Sequence, residues 1–325
     1  MFRKTAMVAV TAGALTFLLA GCGKTTLSTT KTTYKPNGLV AAVKGKSNVK
    51  KVHYQLDGGQ TKTATVRNHT FVIQVPTKTT RQTVKIKAGS DTTTVHVKGA
   101  KKLVGYQKMA TTYNQALIAS KLSKSDQQAA KKLQTEGAAL KKQQATIQAK
   151  VKQAQAQIKA GGTAAATGAK TLQAQQTAAA QLKTKAASLQ TTQKQVEAAM
   201  AMATAKKQVK SQLLPTKTPS DGITNVLTTK DYKIRLNVQK GDVLGAAMIV
   251  PTKAFKNKTR QKNFGTAFAL MTTTTGANAK KVMKQFQKET KDNSGSTTTI
   301  DPITSKGVRF TIGVSTSDLY IFMTK

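Results

Sequence analysis

Tryptophan is absent from this 325-residue chain, cysteine occurs once, and 12 acidic residues stand against 53 lysines and arginines. A single Cys excludes a disulfide framework and any cysteine-rich zinc site within the chain. Aromatic residues make up 5% of the sequence and apolar residues 38%. That is too little for one large close-packed enzyme core, yet enough to avoid disorder throughout. Scarce acid also thins the catalytic options, since a glycosidase pair would have to come from those 12 residues. The histidines are His53, His69 and His96, and none has a second ligand at helical spacing, so neither a metal site nor a cofactor is expected. The nucleophile-elbow pattern G-x-S-x-G is missing as well. The expectation is a non-enzymatic protein of two or three domains.

What is present begins at the N-terminus. Arg3 and Lys4 precede an apolar run from Ala6 to Ala20, broken only by Thr and Gly. At about 15 residues the run is shorter than the ~20 of a permanent membrane helix, and it reads as a secretory signal. It closes on Leu19-Ala20-Gly21-Cys22, which resembles the lipobox of bacterial lipoproteins. The resemblance covers the first 22 residues. It implies a signal peptide over 1–21, a diacylglycerol (palmitate-type) anchor on Cys22, and a place on the extracellular face of the cell membrane. Two acyl chains suit that role, because one chain alone anchors marginally. Gly23-Lys24-Thr25 matches the tail of a phosphate-binding loop, but Leu18 stands where that loop needs its first glycine. Residues 22–33 are expected as a flexible tether.

Residues 34–100 switch to a two-residue period. Apolar positions recur at Leu39–Val43, Val49, Val52, Tyr54, Phe71, Ile73, Val75, Val84, Ile86, Val95 and Val97. Asp57-Gly58-Gly59, Pro76-Thr77 and Gly89-Ser90-Asp91 punctuate them as turns. Six or seven short strands in about 65 residues predict a small all-β sandwich. His53–Gly59 and Thr83–Ala88 loosely resemble Ig-like modules of bacterial surface proteins, which implies a spacer or adhesion module.

Residues 103–214 are rich in Ala, Gln, Lys and Thr and contain no proline, a composition that favours helix. Leu133, Leu140, Ile147 and Ala154 recur every seven residues, with Gly137, Gln144, Val151 and Ile158 four after each. Beyond Gly161-Gly162 a second ladder runs Leu182, Leu189, Val196 and Ala203, with Ala179, Ala186, Gln193 and Met200 three before each. Ser123–Asp126 reads as a helix-opening cap. The prediction is a short helix near 104–121, then a long antiparallel hairpin or coiled-coil stalk over 124–159 and 164–213, with a thin seam.

Pro215 and Pro219 mark the next boundary, and 216–325 is expected as an α+β domain. Its strand candidates are Tyr232–Val238, Val243–Val250, Val308–Val314 and Leu319–Met323. Phe264, Ala267, Phe268 and Met271 have helical spacing, and six of the nine Phe fall here.

The basic charge is spread along the chain: +14 over 23–102, +14 over 103–214 and +11 over 215–325. Lysine supplies 47 of the 53 cations. Arginine, the forked reader of phosphates and base edges, is rare, and residues 103–214 offer just Tyr106 and Tyr113 as stacking aromatics among their lysines. Specific nucleic-acid binding is therefore not expected. Attraction to anionic lipid headgroups or teichoic acid is. The densest window holds Lys253, Lys256, Lys258, Arg260 and Lys262 ahead of a helix expected to begin near Lys262, a candidate polyanion site. In composition and layout the whole chain is similar to surface lipoproteins of Gram-positive lactic-acid bacteria. The leading function is an envelope-associated binding or spacer protein. The alternatives are a solute- or peptide-binding lipoprotein and an envelope hydrolase acting through the C-terminal domain.

Overall fold

The computed structural model describes residues 25–292 and 300–325. The expected signal segment 1–21 and the lipidation candidate Cys22 lie outside the described residues. The chain divides into two compact units. The first holds the described residues up to Tyr34 with Ala42–Val75 and Arg81–Lys98. The second holds Lys35–Ala41, Pro76–Thr80 and Gly99–Lys325.

The first unit is built from β1 (Leu27–Thr29), β2 (Thr33–Tyr34), β3 (Val40–Ser47), β4 (Lys51–Leu56), β5 (Lys62–Thr65), β6 (Thr70–Pro76), β7 (Gln82–Ala88) and β8 (Asp91–Val97). They form two sheets, ordered β1-β3-β6 and β2-β8-β7-β4-β5. β2 runs parallel to β8, while β8, β7, β4 and β5 pair antiparallel. The two-residue period sorts the side chains: Val43, Phe71, Ile73, Val84, Ile86 and Val95 are buried, and Lys44, Lys46, Lys85 and Lys87 are exposed. The tether expected over 22–33 is not free chain among the described residues, where Leu27–Thr29 is strand. Leu27 pairs with Ser47, and Thr26 N–H donates to Asn48 Oδ1 at 2.9 Å. The backbone groups of this Thr/Ser-rich stretch find partners along β3 in place of water. The turn at Asn68-His69 uses positive φ at both residues (48° and 58°) without a glycine.

In the second unit β9 (Val104–Gly105) leads into α1 (Tyr106–Ala119), followed by α2 (Lys124–Ala160), α3 (Gly162–Ala205) and α4 (Lys207–Lys210). α2 and α3 pack as a long helical hairpin, roughly 55 and 65 Å in length at 1.5 Å per residue. Ser123 caps α2, its Oγ accepting from Asp126 N–H at 3.1 Å, and Gly161 and Gly162 turn the chain with φ of 78° and 58°. A Cβ at Gly168 would lie 2.7 Å from Ala154 O, so the two backbones approach closely at the closed end. The Leu182–Ala203 ladder faces inward, with Leu189, Val196 and Ala203 buried. Its companion row holds at Met200, which is half-buried, whereas Ala179, Ala186 and Gln193 are exposed and Ala178, Thr192 and Ala199 are half-buried beside them. Alanine and glutamine carry too little apolar contrast to fix that row from sequence.

β10 (Gly222–Thr228), β11 (Lys233–Gln239) and β12 (Asp242–Pro251) precede α5 (Lys258–Thr274) and α6 (Ala279–Asp292). β13 (Ile300–Ser305), β14 (Val308–Val314) and β15 (Asp318–Thr324) complete an antiparallel sheet of order β10-β11-β12-β15-β14-β13, with β9 on β12. Helix α1 belongs to this core and not to the stalk that 103–214 predicts. Tyr106, Met109, Tyr113 and Leu117 are buried with Phe264, Phe268 and Met271. Tyr106 Oη donates to Pro215 O at 2.7 Å, and the Tyr113 and Tyr232 hydroxyls lie 3.2 Å apart. Burial pushes the Tyr106 phenol up to about 12 and raises those of Tyr113 and Tyr232.

Residues 35–41 and 76–80 lie on the sheet's opposite face. Gly38 has φ 74°, and a Cβ there would stand 2.8 Å from the Phe322 ring. Asn237, 2% exposed, donates through Nδ2 to Thr77 O at 2.8 Å and Leu39 O at 3.3 Å. Truncating Asn237 to Ala leaves the Thr77 carbonyl without that donor, at a cost of about 1–3 kcal/mol. Thermal melts should show a fall of roughly 2–12 °C. Gln239→Ala, which removes an exposed bond to Thr79 N–H, should stay within about 0.5 kcal/mol of the unchanged chain.

Candidate functional site

The five cations of the densest window do not form one patch. Lys253 and Lys256 lie on a 3-10 turn, Thr252–Lys256, that follows β12. Asn257 caps α5, its Oδ1 accepting from Arg260 N–H at 3.1 Å, so the helix begins at Lys258 and not near Lys262. The cap shifts the boundary because Asn accepts the backbone donor of the third helical residue. Lys258, Arg260 and Lys262 therefore occupy the first two turns, with Lys258 and Lys262 on one side and Arg260 on another.

Arg260 is held. Its Nε–H donates to Asp231 Oδ1 at 2.8 Å and its Nη2 donates to Lys230 O. Asn263 Nδ2 donates to Asp231 Oδ2 at 2.8 Å. The Asp231 side chain is 5% exposed and that of Arg260 20%. Asp231 sits in the β10–β11 turn, where Thr229 Oγ1 accepts from the N–H groups of Asp231 and Tyr232 at 3.1 and 3.0 Å. This turn also brings Lys230 beside α5. Lys230, Lys253, Asn257, Thr259, Arg260 and Asn263 line a polar cleft of about 570 Å³. Lys230 is distant in sequence from the basic window, and no charge count finds it. The sequence does carry a hint: Asp231 is an isolated acid next to the tyrosine that begins a strand pattern.

On the other side of the same helix start, Lys258 and Lys262 border a separate, apolar groove of about 900 Å³ between α5, α6 and the ends of β14 and β15. Lys256 lines neither space among the described residues. The polar cleft offers two exposed lysines, Lys230 and Lys253, beside an arginine already neutralised by Asp231. Such a surface attracts anions by charge.

His53 lies on β4, His96 on β8 and His69 in the turn before β6. Among the described residues no group of three His, Cys, Asp or Glu is placed to hold a metal ion. No protein-family model matches this chain, and no curated protein matches it.

The ion pair separates structural from surface cations. Arg260→Gln leaves Asp231 buried without its cation and should destabilise the protein by about 1–3 kcal/mol, below the 3–5 of a fully enclosed pair. Arg260→Lys should restore little, since a lysine cannot place two forked donors on Asp231 and Lys230 O. Lys253→Gln and Lys256→Gln should each change stability by less than about 0.5 kcal/mol. Urea unfolding of the four variants measures this.

Proposed function

We propose that this protein is a bacterial surface lipoprotein, held on the extracellular face of the cell membrane by a lipidated Cys22 and acting without catalysis as an envelope-associated spacer and binding protein. The observation that carries the reading is Leu19-Ala20-Gly21-Cys22 directly behind an apolar run, with Cys22 the chain's only cysteine. In this reading the two-sheet unit is an Ig-like β-sandwich, α2 and α3 are a coiled-coil stalk, and the second unit's sheet with its helices is the binding domain. The cleft beside Lys230 and Lys253 contacts anionic envelope polymer, either teichoic acid or lipid headgroups. The alternative of a solute-binding lipoprotein has one observation in its favour, the apolar groove between α5 and α6.

Among the described residues no helix is long and apolar enough to cross a membrane, so in this reading retention depends on Cys22. Detergent phase partitioning should place the native chain in the detergent phase and Cys22→Ser in the aqueous phase. A serine variant retained with detergent overturns the anchor.

Binding to polymer is tested by a second comparison. Lys230→Gln, Lys253→Gln and Lys256→Gln combined should weaken co-sedimentation with anionic vesicles or wall polymer more than the same changes at Lys141, Lys142 and Lys150 of the hairpin. At about 1 kcal/mol per lysine near an anionic surface, the loss at low salt reaches roughly a hundred-fold. It should shrink as salt rises. Equal losses from the two triple variants would show that total charge alone governs the attraction.

A further inference from the structure

The groove beside Lys258 is unusual for so polar a chain. Its floor is Phe255, Phe264, Met283, Phe286, Val314 and Leu319. Phe264 meets Phe255 edge-on at 5.6 Å and Phe286 at 6.4 Å, so the ring positions are fixed by mutual packing. Val314 is 53% exposed, one of the few large apolar side chains that the described residues leave to solvent. The volume, about 900 Å³, is of the size that small-molecule sites occupy.

The rim is cationic on one side. Lys258 and Lys262 are exposed, one helical turn apart, and their Cβ atoms are spaced by about 6 Å. Among the described residues no acid lines the groove. The same end of α5 carries the positive pole of a 17-residue helix. The uncharged polar side chains at the border are Thr252, Gln261 and Gln287, and Thr252 Oγ1 already donates to Ser317 O and Gln261 Nε2 to Phe255 O. A bound peptide would need partners for its own backbone N–H and C=O groups. An alkyl chain needs none. We infer that this groove binds a long-chain carboxylate amphiphile, its chain lying on Phe264 and Phe286 and its headgroup between Lys258 and Lys262. The site is separate from the polar cleft: neither Lys230 nor Lys253 borders it, and it does not depend on the anchor at Cys22.

Gly265 gives the means to test it. It lines the groove, and a Cβ built there meets nothing within 4 Å. Gly265→Leu therefore fills the space while replacing glycine with a better helix former. Calorimetric titration of the full chain with octanoate, decanoate and dodecanoate, each below its micellar concentration, is the measurement. Affinity should rise by three- to four-fold per added methylene, as apolar burial requires. Gly265→Leu should abolish the binding. Lys258→Gln with Lys262→Gln should weaken dodecanoate about ten-fold at low salt and leave dodecanol unchanged. Val314→Glu, at an exposed position, provides a second block if the leucine variant does not fold. Unchanged dodecanoate affinity in the blocked variant would overturn the proposal. Equal affinity for dodecanol and dodecanoate, insensitive to the two lysines, would overturn the anionic headgroup. Absence of binding, with a dimer that Gly265→Leu dissolves, would overturn it in favour of self-association.

Discussion

Like-charge repulsion is the constraint under which this chain folds, because 53 cations share the molecule with 12 acids. The few acids are accordingly placed where one carboxylate settles a local problem. Asp57 Oδ1 accepts from Thr83 N–H at 2.8 Å, and Asp221 Oδ1 from Lys240 N–H at 2.7 Å. Asp126 lies in the first turn of α2 and bonds the capping Ser123 hydroxyl at 2.7 Å. Asp242 meets Lys102 at 2.6 Å, and Asp231 holds Arg260. These five acids thus mark turns, caps and the approaches to α1 and α5. Long stretches without acid, such as the one between Glu136 and Glu197, fall where exposed helix surface keeps lysines hydrated and apart.

Apolar packing is concentrated to match. The hairpin buries Ala154, Leu189, Val196 and Ala203, a seam of small contact area. The second unit instead gathers two tyrosines from α1, three phenylalanines from α5 and α6, and Phe310 from β14 around one sheet. Burial of aromatic and aliphatic surface at that point supplies most of the stabilisation available to the unit. The opposite face of the sheet is closed differently, by backbone from residues 35–41 and 76–80 that bonds the side-chain amides of Asn237 and Gln239.

The elements with strong apolar contrast were legible from the sequence. Strands alternating Val, Ile or Phe with Lys could be read because their two faces differ so much in polarity. The hairpin could be read because Gly161-Gly162 interrupts a long proline-free helix pattern. The role of α1 was not, although Tyr106, Met109, Tyr113 and Leu117 carry the right spacing, because its Ala/Gln/Thr neighbours share the stalk's composition. The membership of residues 35–41 and 76–80 in the second unit depends on hydrogen bonds across 160 to 198 positions of sequence, and no local pattern encodes that. At the candidate site the lysine run was visible. Its division into two faces depends on the start of α5 at Lys258 and on an acid in a distant turn.

The partition of the chain sets the order in which it can reach its native state. Passage from one unit to the other occurs after residues 34, 41, 75, 80 and 98. The hairpin closes through neighbours along the chain and pays little loop entropy, so it can form early. The contacts of Leu39 and Thr77 with Asn237 span 198 and 160 residues. Mean sequence separation of contacts governs folding speed. Contacts of this span raise that mean well above what the hairpin alone would give, so the second unit's sheet face is closed at a higher loop-entropy cost than the hairpin.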